Sequence, residues 1–278
     1  MKSDKLFCLY ENRTELTTLG SVFYECTGNG KIPLVLIHGF PFDRRLWYNI
    51  ITELENISII IPDLPGVGNS PLLQPTCTMA DYAECIAAIL KKEQVEKCVI
   101  AGHSMGGYVA LAFAQKYPDK LAGLSLVHTT AQADDAERRQ KRDQVITFLK
   151  EQGAVPFATA FIPDPFAPGY ANEYELKKLK HWAADCTTQG LIAAVNAMKN
   201  REDLTHILST IGVPVQWIIG KLDPVFPYAT SIHQATLSAT SMIHLLSGCG
   251  HMAMIEKPEE TAEAFTQFMD YCERRLKL

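Results

Sequence analysis

Six short apolar runs dominate the chain and restrict the folds open to it. They are Pro33–His38 (PLVLIH), Ile57–Ile61 (ISIII), Cys98–Gly102 (CVIAG), Leu121–His128 (LAGLSLVH), Val213–Gly220 (VPVQWIIG) and Ser241–Leu246 (SMIHLL). Each is too brief for a helix. Their nearly continuous, β-branched apolar character suits strands covered on both faces. Between them lie amphipathic stretches near 45–54, 79–93, 105–117 and 258–275. Strand and helix in alternation imply an α/β fold, a mostly parallel sheet with helices on both faces and right-handed crossovers. A turn at Thr27–Lys31 suggests an antiparallel hairpin leading into the sheet. At 278 residues the chain can bury one large core of this kind.

The rhythm breaks once. From Thr130 to Asp203 there is no strand pattern; Asp134–Gln152, Asn172–Cys186 and Gln189–Lys199 read as helices, with a Pro-rich connector at Ile162–Gly169. The simplest arrangement is a core domain of residues 1–129 and 204–278 carrying a helical cap, 130–203. The basic run Arg138–Arg142 reads as a solvated helix face.

A net charge of −5 argues against nucleic acid or an anionic membrane surface as partner. No run of 18 apolar residues predicts a membrane span, and MKSDKLFCLY lacks the apolar stretch of an export signal. A cytoplasmic location is therefore expected. The eight cysteines are scattered, which suits free thiols. No His, Cys and carboxylate spacing suggests a metal site, and the glycine-rich stretch Asp63–Ser70 lacks the pattern of a phosphate loop, so no metal and no cofactor are expected.

The chemistry begins at Gly102-His103-Ser104-Met105-Gly106, where a strand ends and a helix starts. A serine on so sharp a turn takes a strained backbone, costing about 1–3 kcal/mol. Neighbours two residues away must be glycine to avoid collision. The helix start below offers free N–H groups and a positive dipole end to a developing oxyanion. Ser104 needs a base to act as nucleophile. His251, in the loop Gly248-Cys249-Gly250-His251-Met252 between the last strand and the last helix, fits. Asp223, just past the strand 213–220, is placed to orient the imidazole. Asp134 and Asp135 are runners-up that read more simply as caps of the helix they precede. In the loop after Pro33–His38, the backbone N–H of Phe40, paired with that of Met105, is the candidate oxyanion hole; Pro41 has no N–H to offer. His38 and His103 read as structural, Cys249 as packing and Asp43 as the cap of the helix carrying Trp47.

The motifs HGFPFD, DLPGVGNS, GHSMGG, GKLDPVFP and GCGHM, in this order, resemble the α/β-hydrolase superfamily over about residues 20–275. The resemblance implies an eight-stranded, mostly parallel sheet with a helical cap, and the chain order Ser104, Asp223, His251 agrees with it. Leu191–Asp203 followed by LDPVFP looks like the enol-lactonase, cofactor-free haloperoxidase and small carboxylesterase branch. Dehalogenases and epoxide hydrolases of this fold carry Asp at the nucleophile; Ser104 here points instead to acyl transfer from a small-molecule ester, thioester or lactone. A C–C bond hydrolase or lyase on the same triad, or a non-catalytic ligand receptor, are the alternative functions. Phe148, Phe157, Phe161, Phe166, Trp182 and Met198 are the cap residues expected to face the site, giving an apolar pocket.

Overall fold

The computed structural model describes residues 11–28, 32–54, 57–162 and 165–277. Eight strands form one sheet: β1 Glu11–Thr17, β2 Gly20–Thr27, β3 Leu34–Ile37, β4 Ile59–Pro62, β5 Cys98–His103, β6 Leu121–Val127, β7 Val215–Gly220 and β8 Ser241–Leu246, in the order β1-β2-β4-β3-β5-β6-β7-β8. From β4 to β8 all pairings are parallel, whereas β2 runs antiparallel to both β1 and β4.

The period of two explains why the apolar runs look continuous. Val35, Ile37, Cys98, Ile100, Leu124 and Leu126 join one core, while Leu34, Leu36, Val99, Ala101 and Val127 join the other. Helices α2 (Met79–Lys92) and α3 (Met105–Lys116) cover the first face. The 3₁₀ turn Arg44–Trp47, α1 (Tyr48–Ile51) and the last helix, α11 (Pro258–Leu276), cover the second, where Trp47 meets Phe265 edge-on at 6.1 Å. Helix α2 starts on a capping box: Asp81 N–H donates to Thr78 Oγ1 at 3.1 Å and Thr78 N–H to Asp81 Oδ2 at 2.8 Å. Asp43 caps the 3₁₀ turn as expected, accepting Arg45 N–H at 2.9 Å.

The expected hairpin is present, but its turn lies at Thr17–Gly20 rather than Thr27–Lys31. The Thr17 hydroxyl closes it, donating to Gly20 O at 2.8 Å and accepting Leu19 N–H at 3.2 Å. Residues 29–31 of the other turn lie outside the described residues.

Between β6 and β7 the described residues hold helices and no strand: α4 Ala136–Gln152, α5 Ala154–Phe161, α6 Glu173–Ala184, α7 Thr188–Lys199 and α8 Thr205–Thr210. Helix α5 was not foreseen; Pro156 sits in its first turn, where a missing N–H does no harm. The base of this segment is tied shut. Leu204 N–H donates to Ala131 O at 2.8 Å, and buried Arg201 pairs with buried Asp134 at 2.6 Å. Asp135 caps α4 through Arg138 N–H at 2.8 Å. The runner-up acids thus both have structural partners. After β7 come α9 (Tyr228–Ala235) and, after β8, α10 (Ala253–Glu256). Among the described residues no helix is long and apolar enough to cross a membrane. Cys26, Cys77, Cys85, Cys98, Cys186, Cys249 and Cys272 are free; Cys8 lies outside the described residues.

Candidate active site

Strand order reverses between β3 and β5, which pair side by side although β4 intervenes in sequence. In open parallel sheets the crevice at such a point, beyond the carboxyl ends of the strands, is where ligands bind. Register brings Ile37, Gly102, Leu126 and Trp217 level there, so the segments after β3, β5, β6 and β7 converge.

Ser104 is the N-cap of α3, at φ 50° and ψ −113°. A serine at this position ordinarily caps the helix with its hydroxyl; Ser104 makes no such bond. Its backbone is held from three sides instead: Ser104 N–H donates to Val127 O at 3.0 Å, and Ser104 O accepts Gly107 N–H at 2.9 Å and the Thr129 hydroxyl at 2.8 Å. These bonds fix the strained turn. The flanking glycines are needed for space: a Cβ on Gly102 would strike the Gly106 carbonyl, and one on Gly106 would strike the Ile37 carbonyl of β3.

His251 Nδ1 lies 2.9 Å from Asp223 Oδ2. The other carboxylate oxygen, Oδ1, accepts the N–H groups of Val225 at 2.8 Å and Phe226 at 3.0 Å. Burial by itself would raise the Asp223 pKa, but the facing His251 and the imidazole hydrogen bonds pull it well below the usual carboxylate range, so it is a fixed anion. His251 is seated through its backbone: its N–H donates to Pro165 O at 2.8 Å, and its carbonyl lies 2.9 Å from His103 Nε2. The Glu256 carboxylate accepts N–H groups on both sides of His251, from Gly250 and Met252, each at 2.9 Å. Sequence reasoning overlooked Glu256; its place in the first turn after the histidine loop was the available signal.

A second omission is His128. It follows β6 at φ 45°, is buried, and places Nδ1 3.0 Å from Asp223 Oδ2, the oxygen that also holds His251. Burial first, opposed by the bond to Asp223, holds its pKa down, so the ring is neutral with Nδ1–H donating. The sequence offered a signal only in the final residue of LAGLSLVH, which reads as strand. His128, Asp223 and His251 each offer one donor atom within 4.8 Å of the others, close enough to chelate a cation, an arrangement their spacing in sequence does not suggest. In the hydrogen-bonded form those same atoms carry the two ring protons between them.

The structural readings of His38 and His103 agree with the geometry. His38 lies 3.1 Å from Gly39 O through Nδ1 and accepts Leu64 N–H on Nε2 at 3.0 Å, and burial lowers its pKa to about 4. His103 is fully buried against His251, with ring centroids 4.9 Å apart. Asp63 braces the 63–70 turn, accepting Asn69 N–H at 2.8 Å and pairing with Arg44 at 2.6 Å. Cys249 is buried, and desolvation pushes its thiol far above the reactive range. Met105 opens α3, so its N–H has no partner within the helix. Phe40 follows β3, and its ring packs on Phe157 and Phe161 of α5 at 5.7 and 6.1 Å.

The apolar residues of the helical segment divide. Phe157 and Phe161 meet Phe40, and Phe148 packs against Phe157 at a tilt, 6.3 Å away. Phe166 stacks on Tyr170 at 4.5 Å, beside Gly250. Trp182 lies between Arg45 and Lys178, with cations 5.2 and 5.0 Å from its ring, and Met198 is buried in the core on the α2–α3 face. Met198 thus shares a buried cluster with Met105 and Phe157, whereas Trp182 is held by the two cations.

Residues 34–264 match the profile of the alpha/beta hydrolase family. The chain belongs to this family. A solved thermophilic esterase from Thermogutta terrifontis is 31% identical and superposes with a TM-score of 0.88, covering 94% of this chain and 99% of that one. The enol-lactonase of Burkholderia xenovorans LB400, at 20% identity and TM-score 0.84 over 93% of this chain and 100% of that one, shares the fold. Among curated relatives, the pimeloyl-[acyl-carrier protein] methyl ester esterase of Aeromonas hydrophila subsp. hydrophila is 28% identical over 258 residues, 90% of this chain and 99% of its own length. Other relatives are larger, and the chain spans as little as 47% of their length. As an alpha/beta hydrolase with esterase and lipase relatives, the chain is a hydrolase.

Proposed function

We propose that this hydrolase cleaves a small ester, thioester or lactone through an acyl-enzyme on Ser104. The observations that carry the reading are an uncapped serine hydroxyl at positive φ and the imidazole of His251, hydrogen-bonded to a buried carboxylate and packed on His103, the residue before the serine. Ser104 Oγ attacks the acyl carbon and passes its proton to His251 Nε2; the C–O bond forms and the carbonyl π pair moves onto oxygen. Asp223 keeps the Nδ1–H tautomer and stabilises the imidazolium. The N–H groups of Phe40 and Met105 receive the oxyanion. The tetrahedral adduct then collapses, expelling the alcohol or thiol, which takes the proton back from His251. Water, deprotonated by His251, releases the acid and regenerates Ser104.

Two supports come from outside the site. The esterase names of the 31% identical structure and of the Aeromonas relative favour ester hydrolysis over C–C cleavage or a non-catalytic role. The helical segment, about residues 130–203, acts as a cap: Phe157 and Phe161 reach Phe40 and offer the acyl group an apolar wall. The test is steady-state hydrolysis of p-nitrophenyl acetate by wild type and Ser104→Ala. Loss of kcat by about 10⁶ is expected, as in a serine triad acting as a unit. Equal rates would end the proposal.

A further inference from the structure

We propose that His128 is a positioning residue that shares Asp223 Oδ2 with His251 and thereby sets the pH above which His251 serves as base. The inference rests on the triad reading above.

The geometry is specific. Both imidazoles approach one oxygen, at 2.9 Å from His251 and 3.0 Å from His128, while Oδ1 is filled by two backbone N–H groups. The arrangement is held against strain. Among the described residues only Gln94, Ser104 and His128 are non-glycine residues at positive φ, and two of these three belong to the site. His128 N–H is anchored to Ile218 O at 3.0 Å, and the next residue, Thr129, holds the Ser104 carbonyl. One short segment thus touches both the nucleophile and the acid. His128 Nε2 is buried without a hydrogen-bond partner. A buried ring that leaves one nitrogen unpaired is a poor choice for packing alone, since an apolar side chain would avoid that penalty. What the ring contributes is its Nδ1–H.

The consequence is electrostatic. A carboxylate oxygen with one donor concentrates its charge on that donor and favours imidazolium. A second donor draws off part of the charge, so His251 holds its proton less tightly and is free to act at lower pH. The other groups facing His251 are few. His103 comes from the end of β5, Glu256 from α10, and Cys249 from the same loop. The Arg138 guanidinium of α4 lies over Phe226, 5.1 Å from a ring that is itself 5.6 Å from His251. Glu256 is occupied by backbone N–H groups, and Cys249 and His103 are buried. His128 is therefore the group that competes directly for Asp223 Oδ2.

The experiment measures the rate of labelling by a fluorophosphonate as a function of pH, with the adduct mapped by mass spectrometry, for wild type, His128→Gly and His128→Asn. Glycine accepts the positive φ and removes the donor; asparagine tolerates the same φ and keeps an N–H near the Nδ1 position. With Ser104 labelled in all three, the acid-limb midpoint of His128→Gly should move up by on the order of one pH unit, while His128→Asn stays with wild type. Midpoints that coincide in all three overturn the role of His128 and leave the triad intact. A wild-type adduct on another residue overturns the triad reading, and this inference with it. Nitrogen NMR of the wild type covers the case of a glycine variant that fails to fold: neutral His128 protonated on Nδ1 is the expected state, and protonation on Nε2 alone overturns the inference.

Discussion

Glu256 Oε2 accepts the N–H of Gly250 at 2.9 Å, one residue before His251. The same oxygen takes Ala167 N–H at 3.0 Å, and Oε1 takes Met252 N–H. A single carboxylate thus fastens the histidine loop to the segment between β6 and β7.

Replacing Glu256 should therefore damage the site without touching the triad. Glu256→Ala strands three N–H groups, and hydrogen bonds to a charged group contribute about 1.5–3 kcal/mol each when buried. We expect kcat to fall about tenfold or more with a lowered melting temperature, and Glu256→Gln to lie between that variant and wild type. Unchanged kinetics in Glu256→Ala would show that the loop holds itself.

Asp223→Asn should keep the fold and lower kcat by roughly 10⁴, because the amide favours the wrong imidazole tautomer. A nearly silent Asp223→Asn beside an inactive Asp134→Asn would move the acid to the segment after β6, against the ion pairs that Asp134 forms with Arg142 and Arg201.

Stability should fall on mild acidification. Burial first holds His38, His103 and His128 below the ordinary histidine value of 6.5, with His38 at about 4. The unfolded chain therefore binds protons that the folded chain refuses. The stabilisation is present above pH 6.5 and drains away as the pH falls below it, for His38 down to about 4, at up to about 1.4 kcal/mol per pH unit for each ring. Asp223, held low, adds its own loss only below the unfolded carboxylate value near 3.8. Thermal melts from pH 8 to 4 should be level above 7 and fall steeply below 6.5; a level curve down to pH 4.5 would contradict the buried neutral histidines.

Much of this was legible in the sequence for a physical reason. A residue on a strand-to-helix turn demands glycines around it, so GHSMG announces its own geometry. Continuous apolar runs announce a sheet covered on both faces. What stayed hidden depends on contacts distant in sequence. His128 is unremarkable until β6 and β7 pair and bring it to Asp223, 95 residues away. The hairpin turn at Thr17–Gly20 is closed by a threonine hydroxyl rather than a glycine pair. Trp182 sits at helical spacing with the other aromatics but is turned to Arg45.

If the acyl group lies against the apolar cluster of Phe40, Phe157 and Phe161, acyl preference should follow its chemistry. Burying an unpaired charge there costs several kcal/mol, so uncharged short acyl groups are favoured. Across p-nitrophenyl esters from acetate to palmitate, kcat/KM should peak at short chains and decline. A maximum at palmitate, or activation at a lipid–water interface, would indicate a lid that opens widely.

A nucleophilic Ser104 should be trapped covalently at the residue itself. Wild-type protein treated with a fluorophosphonate and digested should carry one adduct, on the peptide containing Ser104, and Ser104→Ala should carry none. An adduct on any other residue, or undiminished labelling of Ser104→Ala, would show that Ser104 is not the nucleophile.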